Sequence, residues 1–193
     1  VALTGAAKMP EQVTNQLKDR YGLIVHEGYG LTESSPVVTT SVNGDHKVGS
    51  IGKPLQEVSL RLVDEHGDDA EEGDSGEIWV RGENVFAGYY NDQEATERVL
   101  TADGWLRTGD IAVKDADGDL FLVDRLKDLI IVSGFNVYPA EVEQVLLAHS
   151  AIDQAAVVGV SHPHTGEAVR AYVVLHSGVH LDEESIIEHC QKQ

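Results

Sequence analysis

The pattern of apolar and polar positions changes twice along the chain and divides it into three stretches. In the first stretch, apolar residues recur at helical spacing between residues 10 and 21, behind an early proline, which predicts a helix. Apolar runs at residues 1–3 and 23–25 predict a strand on either side of this helix. A Gly-rich turn is predicted to follow at residues 28–30.

The second stretch, residues 48–124, consists of short β runs separated by turn residues. The predicted strands are residues 58–63, 77–81, 111–114 and 120–124. One helix is predicted to interrupt them, because Asn91 with Glu94 three residues later has the spacing of a capping box. So many short strands predict a small β-barrel-like subdomain or a curled sheet.

The third stretch alternates strands with helices and predicts a small α+β unit. The predicted strands are residues 129–132, 155–160 and 168–175. One helix is predicted to open at Pro139 and another after Asp182, each with acidic residues in its first turn. The change of pattern at residues 124–128 predicts a boundary that divides the chain into residues 1–126 and 127–193. The fold class expected is a mixture of α/β and α+β.

Composition and charge exclude several classes of protein. The 193 residues carry 14 basic and 33 acidic side chains, and the resulting net charge of −19 repels a nucleic-acid backbone. The single cysteine, Cys190, excludes an intrachain disulfide and a multi-cysteine metal site. No apolar run reaches the roughly 20 residues of a membrane span, and no signal peptide is visible, so a cytoplasmic location is expected.

Both ends of the chain fall inside predicted elements. Val1 lies in a strand that is already under way, and the last predicted helix approaches Gln193 without a cap. The expectation is an excerpt of a longer protein. The alternative is a natural terminus that frays.

Two loops carry side chains that suit nucleotide chemistry. Tyr29, Thr32 and Glu33 offer a ring that can stack on a base, a hydroxyl that can bond a phosphate and a carboxylate that can hold Mg²⁺. Asp110, on a predicted tight turn before a strand, can accept both hydroxyls of a ribose. The alternative for each loop is a turn whose polar groups bond the local backbone.

Two other clusters of metal-type side chains fail as metal sites. Asp115, Asp117 and Asp119 begin like a calcium loop, but its sixth and twelfth positions are leucines instead of glycine and glutamate. A hairpin turn is therefore predicted there. His162 and His164 have no placed third ligand, which predicts a solvated loop.

Five motifs in a fixed order resemble the C-terminal portion of the adenylate-forming superfamily, which includes acyl-CoA synthetases, firefly luciferase and peptide-synthetase adenylation domains. They are GYGLTE at 28–33, GEIWVRG at 76–82 with GYY at 88–90, WLRTGD at 105–110, VDRLKD at 123–128 and SGFNVYP at 133–139. The resemblance covers nearly the whole chain. The last motif looks most like the bacterial long-chain fatty acyl-CoA synthetases.

The resemblance implies a role for each matching residue. In the nucleotide site, Tyr29 stacks on adenine, Thr32 contacts a phosphate, Glu33 holds Mg²⁺, and Asp110 and Arg125 contact the ribose; Gly30 is a further nucleotide-binding residue. Thr32 and Glu33 are the implied catalytic residues. The other implied roles are a hinge at Lys127, a loop for the CoA step at Gly134, and one side of the acyl pocket at Gly5, Ala6 and Ala7.

The implied reaction belongs to a longer protein, in which residues 1–126 end a large N-terminal domain and residues 127–193 begin a small C-terminal one. A long-chain fatty acid reacts with ATP and Mg²⁺ to give acyl-AMP, and CoA then takes the acyl group. The implied partners are these small molecules and no nucleic acid, and the resemblance allows for peripheral association with a membrane.

Two parts of the superfamily pattern have no counterpart among these residues: the Ser/Thr/Gly-rich phosphate loop and the C-terminal lysine. The stretch is therefore expected to be inactive alone, and pyrophosphate release above a Glu33→Ala control would contradict this. One alternative is an acyl-AMP ligase that loads a carrier protein, and another is a fragment that binds nucleotide or a partner without catalysis. The intact Thr32 and Glu33, with only 42 residues between Glu33 and Gly76, favour CoA.

Overall fold

Two packing units make up the chain in the computed structural model, which describes residues 2–5, 9–42 and 46–192. They are Val1–Leu122 and Val123–Gln193. The division falls four residues before the boundary predicted between residues 126 and 127, and the hinge at Lys127 stays a prediction. Among the described residues, no helix has the length and apolar character that spanning a bilayer requires.

The first sheet of the first unit begins with a β-α-β arrangement. Strands β1 (Ala2–Thr4) and β2 (Val25–Tyr29) lie parallel, and helix α1 (Glu11–Tyr21) connects them in sequence. Strands β3 (Thr39–Thr40) and β4 (Lys53–Pro54) extend the sheet antiparallel, in the order β1-β2-β3-β4.

The sequence placed strand β2 too early. The strand starts at Val25 and continues through Gly28 and Tyr29, which were predicted to form a turn. Gly28 and Tyr29 pair with Thr40 and Thr39 of β3, and this tertiary pairing extends the strand through the glycine. A Cβ on Gly28 would lie 3.1 Å from the Thr39 carbonyl oxygen, so glycine permits the close approach.

The second sheet consists of β5 (Ser59–Val63), β6 (Ser75–Arg81), β7 (Leu106–Lys114) and β8 (Leu120–Arg125), in that order, and the division between the two units falls within β8. Its outer strands β5 and β8 are not paired with each other in the described ranges, so the expected barrel is an open sheet.

The helix that interrupts this sheet, α2 (Gln93–Val99), starts one residue later than predicted. Asp92 is the N-cap, and its side chain accepts a hydrogen bond from the Ala95 backbone N–H at 2.9 Å. Asn91 instead has a φ of 52°, in the left-handed region.

One apolar core joins the two sheets of the first unit. Its buried members are Tyr29, Val38, Ile51, Leu62, Ile78, Val80, Ala112 and Leu120. Because side chains alternate along a strand, the residues between these core positions of β6 face the other way. Arginines and tryptophans alternate on that outer face, with the Arg61 and Arg107 guanidinium carbons 5.8 and 4.8 Å from the Trp79 ring centre.

The second unit is a four-stranded antiparallel sheet with two helices. Its strands are β9 (Ile130–Val132), β10 (Phe135–Val137), β11 (Ile152–His162) and β12 (Gly166–Leu175), in the order β10-β9-β12-β11. The helices are α3 (Pro139–Leu147) and α4 (Glu183–Gln191). Side chains of both helices and of the strands share one core, so the predicted mixed fold class is confirmed.

The turn predicted at Asp115, Asp117 and Asp119 is confirmed as the hairpin between β7 and β8, and a lysine lies among its three carboxylates. Lys47 Nζ lies 2.5, 2.7 and 3.5 Å from carboxylate oxygens of these three residues. The ammonium group thus supplies the positive charge that the clustered carboxylates need. Hydrogen bonding to Lys47 holds the pKa of Asp115 below its ordinary value, and the pKa of Lys47 is raised.

Replacing Lys47 with methionine is expected to lower the melting temperature by a few degrees at neutral pH, because Asp115 and Asp117 then lose their counter-ion and Asp119 keeps only Lys53. The lowered pKa of Asp115 means that its stabilising contribution is present above the unfolded-state pKa and is lost as the pH falls through the folded-state value. The difference between the two proteins should therefore shrink below about pH 4. Thermal melts from pH 3 to pH 8 measure it.

The matched control is Lys53→Met, because Lys53 Nζ lies 3.7 Å from Asp119 Oδ2 and contacts neither of the other two carboxylates. It should shift the melting temperature less at every pH. A Lys47→Met protein as stable as the parent at pH 7 would contradict the counter-ion role.

Candidate functional site

Tyr29 and Asp110 meet across 81 positions of sequence. The Tyr29 hydroxyl, at the end of β2, donates a 2.7 Å hydrogen bond to Asp110 Oδ2 in β7. Tyr29 is only 8% exposed because its ring packs in the core between the two sheets. A base stacking on Tyr29 would therefore meet only the part of the ring that the core leaves open, beside the Asp110 carboxylate.

Asp110 lies within strand β7, and the predicted tight turn before the strand is wrong. Strand β7 already begins at Leu106 and contains an irregularity in its pairing with β6. Gly109, directly before Asp110, has a φ of 73°, a backbone conformation that favours glycine. The local feature that the sequence suggested is therefore a β-bulge, which re-aims the carboxylate.

Thr32 and Glu33 lie in a short 3-10 turn, Thr32–Ser34, that follows β2. The Phe86 backbone N–H donates to the Glu33 carbonyl oxygen at 2.9 Å. The Tyr89 hydroxyl donates to Glu33 Oε1 at 2.7 Å. Hydrogen bonding to this carboxylate, together with burial, raises the pKa of the Tyr89 phenol. Two contacts from the same segment thus hold the backbone and the side chain of Glu33.

The loop between Tyr29 and β3 is held tightly by two further residues. An ideal Cβ on Gly30 would lie 1.7 Å from the Pro36 carbonyl oxygen, so only glycine fits there. The Asn84 side-chain amide donates to the carbonyl oxygens of Ser34 and Val37 at 3.0 and 3.2 Å. The turn with Thr32 and Glu33 is therefore fixed from outside as well as by its own bonds.

Three of the expected residues belong to the second unit. Arg125 ends β8, and Lys127 lies in an exposed 3-10 turn, Leu126–Asp128. Gly134 is exposed in the two-residue turn between β9 and β10, where Ser133 and Gly134 have φ angles of 52° and 85°. Such a turn requires positive φ at both positions, so glycine has a conformational reason at Gly134 besides its small size.

The expected acyl-pocket segment is described only at its first residue. Gly5 follows β1, and a Cβ there would lie 3.6 Å from the Gly28 carbonyl oxygen. Ala6 and Ala7 lie outside the described residues. The role of this segment stays a prediction.

Three residues that contact or support the site had no role assigned from the sequence, namely Glu77, Asn84 and Tyr89, and Asp124 of the second unit also had none. Asp124 Oδ2 accepts the Ala140 backbone N–H at 2.9 Å and so satisfies a donor in the first turn of α3. Glu77 and Tyr89 fall within motifs that the resemblance used, next to Gly76 and Gly88. Their position directly after those motif glycines was the feature of the sequence that could have identified them.

Glu33 suits a hard divalent cation such as Mg²⁺. Its carboxylate oxygens are the type of ligand that Mg²⁺ prefers, and the Tyr89 hydrogen bond fixes the carboxylate. The described residues contain no group of three or more His, Cys, Asp or Glu side chains that could hold a metal ion. A site with one protein carboxylate fits Mg²⁺ bound together with substrate phosphates.

The fold and the order of the motifs are those of an adenylate-forming enzyme. Residues 1–90 match the family model described as AMP-binding enzyme, and residues 141–193 match the model of the AMP-binding enzyme C-terminal domain. The chain belongs to this family.

Individual relatives agree with this assignment. The chain is 44% identical over its whole length to a long-chain-fatty-acid–CoA ligase of Yersinia pestis, of which it covers 34%. It therefore spans about a third of the length of the curated relatives it matches.

Two solved structures share the fold. ATP-bound MatB from Rhodopseudomonas palustris is 36% identical with a TM-score of 0.92, over 99% of this chain and 38% of that one. The o-succinylbenzoate CoA synthetase MenE from Bacillus subtilis, in complex with its acyl-adenylate intermediate, is 36% identical with a TM-score of 0.86. The match covers 99% of this chain and 39% of MenE.

Proposed function

We propose that this chain serves as the corresponding third of an acid–thiol ligase. The complete enzyme joins a long-chain fatty acid to CoA, with ATP converted to AMP and pyrophosphate through an acyl-adenylate. The identity to long-chain-fatty-acid–CoA ligases supports the fatty acid as substrate. MenE has the same fold and takes an aromatic acid, so an aromatic acid is the competing substrate class.

The observation that carries the proposal is the hydrogen bond between Tyr29 and Asp110. It brings an aromatic ring and an acid from distant parts of the sequence to one point, and Thr32 and Glu33 follow Tyr29 by three and four residues. The Tyr29 ring suits the base, and the Asp110 carboxylate suits the sugar. The Thr32 hydroxyl and the Glu33 carboxylate suit the phosphates with their Mg²⁺.

In the first step, an oxygen of the substrate carboxylate attacks the α-phosphorus of ATP, and the bond to pyrophosphate breaks. Asp110 and Tyr29 hold the adenosine, and the Thr32 hydroxyl donates to a phosphate oxygen as negative charge develops. Glu33 would hold Mg²⁺ at this site, and the ion would supply positive charge against the phosphates. In the second step, the CoA thiol gives up its proton, its sulfur bonds to the acyl carbonyl carbon, and the bond from that carbon to AMP breaks.

Product analysis of the full-length protein that carries this chain tests the proposal. With palmitate, ATP, Mg²⁺ and CoA, mass spectrometry should detect palmitoyl-CoA, AMP and pyrophosphate. Accumulation of palmitoyl-AMP without thioester would move the acceptor to a carrier protein. No product with palmitate, but thioester with an aromatic acid, would reassign the substrate class.

Replacing Lys127 with proline is expected to separate the two steps. Proline fixes φ near −65° and removes an N–H, so it restricts the rotation that we propose for the turn Leu126–Asp128. Acid-dependent pyrophosphate release should be nearly unchanged, whereas thioester formation from preformed acyl-AMP should slow by about tenfold or more, a barrier increase of about 1.4 kcal/mol.

The control for the hinge experiment is Lys127→Ala, which removes the side chain but leaves the backbone free to rotate. It should affect thioester formation less than the proline variant does. An equal loss of both steps in Lys127→Pro would count against a hinge at this residue.

A further inference from the structure

The β-bulge that presents Asp110 is held by a carboxylate on the neighbouring strand. In the β6–β7 pairing, Glu77 faces Ile111 and Trp79 faces Arg107. Between these pairs, one residue of β6 lies opposite three residues of β7, so β7 must bend outward there. A bend of this size leaves backbone N–H groups of β7 without partners in the ladder.

Two side chains satisfy those N–H groups. Glu77 Oε1 accepts the Gly109 N–H at 2.9 Å. The Thr108 hydroxyl accepts the Asp110 N–H at 3.1 Å and donates to the Ile78 carbonyl oxygen at 2.8 Å. The bulge is therefore fixed on both sides of the peptide that leads into Asp110.

Glu77 is itself held in place by Trp79. Its second oxygen, Oε2, accepts the Trp79 indole N–H at 2.7 Å. With both oxygens engaged, the carboxylate has little rotational freedom, and its bond to Gly109 is a charge-assisted one. A glutamate on the outer face of the sheet thus acts directly on the backbone beside the candidate ribose site.

We infer that Glu77 is a positioning residue for nucleotide recognition, which aims the Asp110 carboxylate at the ribose hydroxyls by holding the Gly109 backbone. This inference rests on the proposed function, because it needs Asp110 to accept those hydroxyls. Glu77 itself touches no substrate. Its loss lets the bulge relax, so the bond from Asp110 to the ribose lengthens or tilts, whereas the contacts of the adenine and the acyl group remain.

The test uses the ratio of kcat/KM for ATP to that for 3′-deoxy-ATP in the full-length protein. The ratio reports the ribose contact alone, because the two nucleotides differ by a single hydroxyl. Glu77→Ala is expected to lower it by about tenfold, the effect of misaligning one charge-assisted hydrogen bond. Glu77→Gln should retain most of the ratio, since its carbonyl oxygen can still accept the Gly109 N–H.

Two further variants make the result specific. Trp79→Phe removes the indole N–H that helps to hold Glu77 but leaves the bond between Glu77 and Gly109 possible, so it should lower the ratio much less than Glu77→Ala does. Glu77→Asp keeps the charge but shortens the side chain, so it should lower the ratio. If Glu77→Ala does not fold, Glu77→Asp takes its place in the comparison. Thermal melts confirm that each protein compared is folded.

Asp110→Ala separates the failure of this inference from the failure of the proposed function. If Asp110→Ala leaves the ratio unchanged, Asp110 does not bind the ribose, and the nucleotide site itself is wrong. If Asp110→Ala lowers the ratio but Glu77→Ala and Glu77→Asp do not, the positioning role is overturned. It is also overturned if Trp79→Phe or Glu77→Gln lowers the ratio as far as Glu77→Ala does.

Discussion

Replacing Asp110 with alanine is expected to raise the KM for ATP of the full-length protein by about 10- to 100-fold. The variant loses a carboxylate that we propose accepts the ribose hydroxyls, and a hydrogen bond to a charged group contributes about 1.5–3 kcal/mol. The KM for the fatty acid and for CoA should change much less. Initial rates of pyrophosphate release, measured over a range of ATP concentrations, give these values.

The same substitution has a structural effect that must be separated from the loss of binding. Asp110→Ala leaves the Tyr29 hydroxyl, in a residue that is 8% exposed, without this acceptor, which costs about 1–3 kcal/mol of stability. Tyr29→Phe removes the hydroxyl and leaves Asp110 in place, so its KM for ATP should rise far less than that of Asp110→Ala. A folded Asp110→Ala protein with the parent KM for ATP would exclude Asp110 from the nucleotide site.

Replacing Gly30 with alanine is expected to reduce acyl-adenylate formation at least 100-fold. The added Cβ would lie 1.7 Å from the Pro36 carbonyl oxygen and 2.9 Å from the Val37 Cα, and both are backbone atoms that cannot rotate away. The loop must therefore open, which displaces Thr32 and Glu33 from Tyr29. Overpacking of this kind costs about 1–3 kcal/mol in stability, and a displacement of about 1 Å can cost 100-fold in rate.

The control for Gly30→Ala is Gly67→Ala. Gly67 has a φ of 89° with no atom within 4 Å of the added Cβ, so alanine brings backbone strain without a clash. It should lower the melting temperature modestly and leave pyrophosphate release unchanged. Equal activities of Gly30→Ala and the parent protein would show that the loop tolerates the shift and that its shape is not essential.

Local patterns in the sequence were sufficient for most of the elements. The helix predicted at residues 10–21 is α1, and the opening of α3 at Pro139 is as expected, because proline and acidic residues act within a single turn. Strands of alternating pattern, such as the one predicted at residues 77–81, were also found because one face of that sheet is buried. These signals depend on neighbours in sequence, and a single chain displays them fully.

The errors occur where a distant strand determines the local conformation. Gly28 is extended because it pairs with Thr40, although glycine beside a loop suggests a turn. Asp110 lies in a bulge inside β7 because Glu77 holds the Gly109 backbone, and the preceding glycine by itself suggested only a turn. Neither partner is within ten residues of the position that it changes, so no local pattern contains the information.

The sequence by itself determined the family, the mixed fold and the motif residues of the candidate site, because those motifs are short, ordered and specific. The tertiary structure alone decided how two motif side chains are held, Tyr29 against Asp110 and Glu33 against Tyr89. It also decided that Lys47, outside the motifs, lies among three aspartates. These contacts join residues from 56 to 81 positions apart, and hydrogen bonds over such separations form only when packing brings the strands together.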